Sequence, residues 1–258
     1  MKFTVVIPVK DESFCLKYCL PSVYALHPKE IILVMEQRFQ DTVNTAKSIA
    51  RQFDIPTRII EVNVSENWAN PHAYARRLGF EAAETDLILT IDVDKVADPN
   101  IPKYFFMIDG EVKLLSFREV PLGLDIRNHI KNVLQALGYA RSFGGIYLIS
   151  KKAWQETEDP AGAKKVLMSE DTYLHKQLLT KFRYRFIKRT KNLCLKSDMS
   201  VRKQFLNGVE CFKRGENFYK LLLSSFLYFM PIQLLGYLYA KRKYERESAS
   251  DRGKGLHW

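Results

Sequence analysis

The chain has 258 residues and a mass of 30.1 kDa; 47% of it is hydrophobic and 27% charged, with 12 Gly and 10 Pro. These values exclude a disulfide-stapled miniprotein, a collagen-like repeat and wholesale disorder, and fit one large α/β domain with an appendage or two small domains. The net charge of +11 is unevenly placed, because residues 1–175 hold 21 basic and 23 acidic groups and residues 176–258 hold 19 and 6, which suits the last third to an anionic surface or polymer.

Phe3 to Val9 is continuous and β-branched, the pattern of a strand covered on both faces. The run is short, contains Pro8 and is followed by charges, so a strand rather than a secretory signal is expected. Asp11-Glu12-Ser13 opens a helix over Phe14 to Leu26. Cys15 and Cys19 lie four apart on one face of that helix, and with Cys194 and Cys211 they lack both disulfide density and zinc-site spacing. They read as small, reduced core residues.

Ile31 to Met35 is a second buried strand, Asp41 to Phe53 a second helix, Arg58 to Val62 a third strand and Pro71 to Ala83 a third helix. Leu87 to Ile91 is a fourth strand, ending in Asp92-Val93-Asp94. This alternation predicts a mainly parallel, doubly wound sheet flanked by helices, with ligands outside the carboxyl ends of the strands. Further strands are expected over Glu111 to Phe117 and Gly144 to Ile149, helices over Asp125 to Leu137 and Asp171 to Leu179, and an edge strand over Phe182 to Ile187. Gly144-Gly145 reads as a turn needing glycine before a strand, ahead of a close approach to substrate.

Leu221 to Ala240 contains no charge and is long enough, at about 1.5 Å per residue, to cross about 30 Å of hydrocarbon. Lys213, Arg214 and Lys220 precede it, Lys241-Arg242-Lys243 follow it, and Pro231 interrupts it. Basic flanks on both sides favour monotopic insertion against anionic headgroups over a simple span; buried core helices or a dimer contact are the alternatives. The expected division is a catalytic domain over residues 1–212 and a basic, hydrophobic, membrane-associated helical tail over 213–258.

Asp92 and Asp94, two apart at the end of a buried strand, would project to one side of extended backbone. Together they form a hard-oxygen site suited to Mg²⁺ or Mn²⁺ held jointly with phosphate oxygens, the metal acting as Lewis acid on a diphosphate leaving group. Two exposed acids at a strand end also occur as solvated turn residues, and position in the sheet decides for the ligand site. Glu170-Asp171 opens a helix, where a carboxylate serves as an N-terminal cap or a general base. Histidines such as His72 and His175 read as polar surface or helix residues.

These residues resemble the inverting family-2 glycosyltransferases of the GT-A fold. Val5-Val6-Ile7-Pro8-Val9-Lys10-Asp11-Glu12 is similar to the family's opening V-V-I-P-x-x-N-E, and Ala75-Arg76-Arg77-Leu78-Gly79 to its A-R-N-x-G. Asp92-Val93-Asp94 stands where the family has D-x-D, and Glu170-Asp171 where it has E-D. The resemblance implies that Pro8 and Glu12 border the nucleoside, that Arg76 and Asp92 bind the donor, that Asp94 with Asp92 holds the metal, and that Asp171, paired with Glu170, is the catalytic base. Glu36, in Glu36-Gln37-Arg38-Phe39, replaces the acid that the family's D-D-G-S turns toward the base.

The implied reaction is metal-dependent transfer of a sugar from a nucleotide-diphosphate sugar to a hydroxyl of a glycan or lipid-linked saccharide, at the cytoplasmic face of a membrane. The intact Glu170-Asp171 pair favours a hydroxyl acceptor over a polyprenyl phosphate, which would need no base. A basic nucleic-acid-binding protein is the alternative of another class, but no nucleic-acid module is recognisable and no nucleic-acid partner is expected. A nucleotidyltransferase would commonly open on a glycine-rich phosphate loop, and residues 5–12 contain no glycine.

Overall fold

The computed structural model describes residues 1–63, 71–121, 126–137, 145–156 and 180–195, then 208–209, 211–212, 217–219, 221–222 and 234–244. The chain opens with β1 (Thr4–Val9), α1 (Ser13–Tyr24), β2 (Glu30–Glu36), α2 (Gln40–Ala50), β3 (Thr57–Val62), α3 (Pro71–Ala82) and β4 (Leu87–Ile91). These follow the expected alternation to within a few residues. A two-residue strand β5 (Lys95–Val96) and a 3₁₀ helix (Ile101–Met107) come next, then β6 (Val112–Pro121), α4 (Ile126–Leu137), β7 (Ile146–Ser150), α5 (Lys151–Glu156) and β8 (Arg183–Cys194).

The eight strands among the described residues join one sheet in the order β3-β2-β1-β4-β7-β6-β8-β5. The first four are mutually parallel, but β7 runs antiparallel to both β4 and β6, and β5 runs antiparallel to β8. The sheet is therefore mixed rather than mainly parallel in its second half. Strands covered on both faces read as apolar runs whichever way they point, so direction is not written in their pattern.

Alternation along the strands builds a layer on each face of the sheet. Val5, Ile7 and Val9 of β1, with Ile31, Leu33 and Met35 of β2, pack against Leu16, Leu20 and Val23 of α1 and Val43 and Ala46 of α2. Val6, Ile32 and Val34 face the other way, toward Ala75 and Phe80 of α3 and Trp154 of α5. Cys15 and Cys19 are buried on α1, as their spacing predicts, and none of the four cysteines is in a disulfide.

Lys95 follows Ile91 by four residues, yet β7, β6 and β8 lie between β4 and β5 in the sheet. The sheet must curl for so short a link to join these strands, and the turn Asp92-Val93-Asp94 closes the curl.

The chain divides into two compact units, Met1–Leu124 with Asn132–Ser197, and Asp125–Lys131 with Asp198–Trp258. In the second, Cys211, Leu221 and Tyr237 pack with Phe212, Phe218 and Leu234. Of the charge-free stretch 221–240, residues 221–222 and 234–240 are described, and no helix among the described residues is long and apolar enough to cross a membrane.

Candidate active site

Parallel pairing of β1, β2, β3 and β4 brings their carboxyl ends to one side, and a cleft of ≈ 170 Å³ opens there. Its walls include Pro8 and Lys10 at the end of β1, Glu36 at the end of β2, Val62 at the end of β3, and Pro71 and His72 in the first turn of α3. Pro8 and Glu36 thus meet in one cavity, where the nucleoside was expected. The Glu36 carboxylate is almost wholly buried and pairs with the Arg38 guanidinium, which also lies over the Phe39 ring. Glu12 precedes α1, and its carboxylate accepts the Lys10 N–H at 3.1 Å instead of lining the cavity.

Asp92 stands beside this cleft. His72 Nε2 is 3.1 Å from Asp92 Oδ1, and Arg76, one helical turn further along α3, donates from Nη2 to the same oxygen at 2.7 Å. Arg76 also lies over the Tyr147 ring, 5.7 Å from its centroid. Burial opposes ionisation of Asp92, but the Arg76 charge, the hydrogen bond and charge of His72 and the charge of Lys95 outweigh it and hold the carboxyl well below the usual range. Arg76 is therefore tied to Asp92 and is not among the residues lining the cleft. His72 is the helix residue that the sequence allowed, and the one signal of its contact with Asp92 was its place four residues before Arg76, on the same helix face.

The backbone at the acid pair is a turn, with the Lys95 N–H donating to the Asp92 carbonyl at 3.0 Å. The expectation of extended backbone is corrected: Asp92 and Asp94 stand on a turn rather than along a strand. Both charges act on the thiol of Cys19, which burial first and then Asp94 and Asp92 push far up. Neighbouring strands anchor the turn, the Asp92 N–H to the Gly145 carbonyl at 2.7 Å and the Leu195 N–H to the Asp94 carbonyl at 2.8 Å. Gly145 has φ +80°, so the turn requirement read from sequence applies there.

Beneath the turn lies a buried ionic group invisible in the sequence. Lys95 Nζ is 3.4 Å from Asp94, 3.4 Å from Glu119 Oε2 of β6 and 2.8 Å from Cys194 Sγ of β8. Burial would lower the lysine's pKa, but Glu119 first, then Asp94 and the other partners, raise it well above normal. Glu170 and Asp171, the expected base pair, lie outside the described residues, as do His175 and Gly144.

Two carboxylates are donors of the kind Mn²⁺ and Mg²⁺ take. Among the described residues no three His, Cys, Asp or Glu side chains are grouped to hold a metal ion. The acid pair therefore fits a divalent cation only as part of a shell, the manner in which Mg²⁺ is commonly shared with substrate phosphates.

Residues 4–113, which contain β1 through β5 and the whole of this cleft and turn, match the family model of Glycosyl transferase family 2. Over that stretch the chain is similar to glycosyl transferase family 2. No curated protein matches the chain. Among solved structures, TarS 1-349 of S. aureus is 12% identical with a TM-score of 0.59 over 82% of this chain. This chain spans 66% of that one, just under two thirds. The mannosyltransferase PcManGT from Pyrobaculum calidifontis, in complex with GDP-Man and Mn²⁺, is 13% identical with a TM-score of 0.60 over 99% of this chain and 81% of its own. Glucosyl-3-phosphoglycerate synthase from Mycobacterium tuberculosis, in complex with Mn²⁺, UDP and its product, is 15% identical with a TM-score of 0.51 over 78% of this chain and 74% of its own. Identities this low speak for the shared fold, which is GT-A, and the resemblance drawn from the motifs is borne out for family and fold.

Proposed function

We propose that this family-2 protein transfers a sugar, with inversion, from a nucleotide-diphosphate sugar to a hydroxyl group of a glycan or lipid-linked saccharide. The observation that carries the reading is the cleft at the carboxyl ends of β1, β2 and β3, joined through His72 to the Asp92–Asp94 turn. The Mn²⁺ and nucleotide complexes of PcManGT and glucosyl-3-phosphoglycerate synthase agree with it.

In this reading Pro8, Glu36 and His72 enclose the nucleoside, while Arg76 fixes Asp92 in its ionised form before the donor arrives, so little reorganisation is needed on binding. Asp94, with Asp92, would hold a divalent cation, Mn²⁺ or Mg²⁺, which when bound acts as Lewis acid on the diphosphate leaving group. Asp171, beside Glu170, takes the proton of the acceptor hydroxyl as that oxygen attacks the anomeric carbon in line.

A membrane surface is the proposed setting, on its cytoplasmic face. Along residues 234–244, Leu235, Leu238, Tyr239 and Tyr244 are exposed beside exposed Lys241, Arg242 and Lys243, a composition suited to anionic headgroups.

Thermal unfolding with UDP, GDP and CDP, each with and without Mn²⁺, tests the reading. One nucleotide should stabilise the protein, by about 2.7 kcal/mol at a hundred times its Kd, and Asp94→Ala should remove the Mn²⁺-dependent part. Absence of stabilisation by any nucleotide, or an unchanged Mn²⁺ effect in Asp94→Ala, overturns it.

A further inference from the structure

The ionic group under the acid turn has a feature that the donor site alone does not require. Asp92 has its own cation in Arg76, whereas Asp94 shares Lys95 with a second buried carboxylate, Glu119. Lys95 and Glu119 are each only 8% exposed in their side chains, so water screens neither charge effectively. Glu119 Oε1 is buried and has no hydrogen-bond partner among the described residues. Gly145 backs onto this oxygen so closely that a Cβ there would collide with it and with Lys95 Cε. One lysine therefore divides its charge between two acids, one of which, Asp94, belongs to the proposed donor site.

We propose that Lys95 is an internal counter-ion of the donor site, offsetting the charge of Asp94 so that a nucleoside diphosphate binds with part of its affinity even without a divalent cation, while Glu119 restrains that effect. The inference rests on the nucleotide-sugar reading above. Its sign follows from Coulomb's law: a buried ammonium close to Asp94 attracts the donor's phosphates and repels a metal ion. Removing the ammonium must weaken metal-free nucleotide binding and tighten metal binding. Removing the Glu119 charge, which leaves Lys95 to Asp94 alone, must do the reverse. Lys95 touches no reacting atom, and a merely structural role would loosen the turn and weaken metal binding instead, the opposite direction.

Calorimetric titration of UDP and GDP into the full chain, in EDTA and in saturating Mn²⁺, separates these cases, with Mn²⁺ itself titrated in parallel. In the wild type, the nucleotide that binds with Mn²⁺ should also bind in EDTA, within about tenfold. Lys95→Met should lose about a further five- to tenfold in EDTA relative to Mn²⁺, and half-saturate at a lower Mn²⁺ concentration. Glu119→Gln should gain in EDTA and need more Mn²⁺. An unchanged EDTA-to-Mn²⁺ ratio in Lys95→Met, or a raised Mn²⁺ requirement in it, overturns the inference and leaves the glycosyltransferase reading intact. Should Lys95→Met not fold, Glu119→Gln decides alone, and unchanged or weaker binding in EDTA overturns the inference. If neither binds wild type even with Mn²⁺, CDP is titrated in the same way, and failure of all three overturns the underlying reading and the inference with it.

Discussion

Asp92 is held in its charged form by Arg76 more than by any other residue, and the pair carries both stability and donor-site geometry. Arg76→Met would leave a carboxylate with its main cation gone. It should lower unfolding free energy by about 3 kcal/mol, the low end for breaking a buried pair because Asp92 keeps some exposure; urea unfolding at neutral pH measures this. The depressed acidity of Asp92 also fixes a pH dependence. Its contribution is complete above the unfolded carboxyl's pKa of about 3.9 and is lost as pH falls toward the lower folded value. The stability gap between wild type and Asp92→Asn should therefore be full at pH 7 and narrow steadily below about pH 4. A gap that widens on acidification would contradict the assigned pair.

At the scale of elements, two glycines control how closely backbones meet. A Cβ at Gly79 of α3 would collide with Val6 Cγ1 of β1, a branched side chain that cannot swing aside. Gly79→Ala should cost about 1–3 kcal/mol through overpacking and push α3, with His72 and Arg76, away from the cleft. The expected readout is a lower Tm together with weaker nucleotide binding. Gly145→Ala combines a left-handed backbone with collision against the buried Glu119 carboxylate, so it should cost about 2 kcal/mol or more. The family-like spacing made Gly79 visible in the sequence. Gly145 was visible only as half of a Gly-Gly pair, because the residues it must avoid lie on β5 and β6, remote in the chain.

At the scale of the whole molecule, the charge asymmetry predicts association with anionic membranes. Full-length protein should co-sediment with phosphatidylserine vesicles, more weakly in high salt. Replacing Lys241, Arg242 and Lys243 with Gln should weaken that binding by about 1 kcal/mol per residue. Equal binding to neutral vesicles would count against an electrostatic contribution. Residues 1–91 alternate strand and helix, and their apolar periodicity alone located every element there to within a few residues. Beyond β4 the reading weakened for physical reasons. A two-residue strand such as β5 has no period to detect, β8 continues past Ile187 through charged residues that its pairing with β6 organises, and β7 carries no mark of its direction.

The sequence by itself determined the α/β class, the parallel opening and the positions of Pro8, Glu36, Arg76, Asp92 and Asp94, because local periodicity and short motifs encode them. Only tertiary structure decided that Asp92 and Asp94 sit on a turn rather than along a strand, that His72 and Arg76 share one carboxylate oxygen, and that Lys95, Glu119 and Cys194 meet beneath them. Those meetings follow from the curl of the sheet, which brings together residues up to 100 positions apart in the chain, beyond the reach of any local pattern.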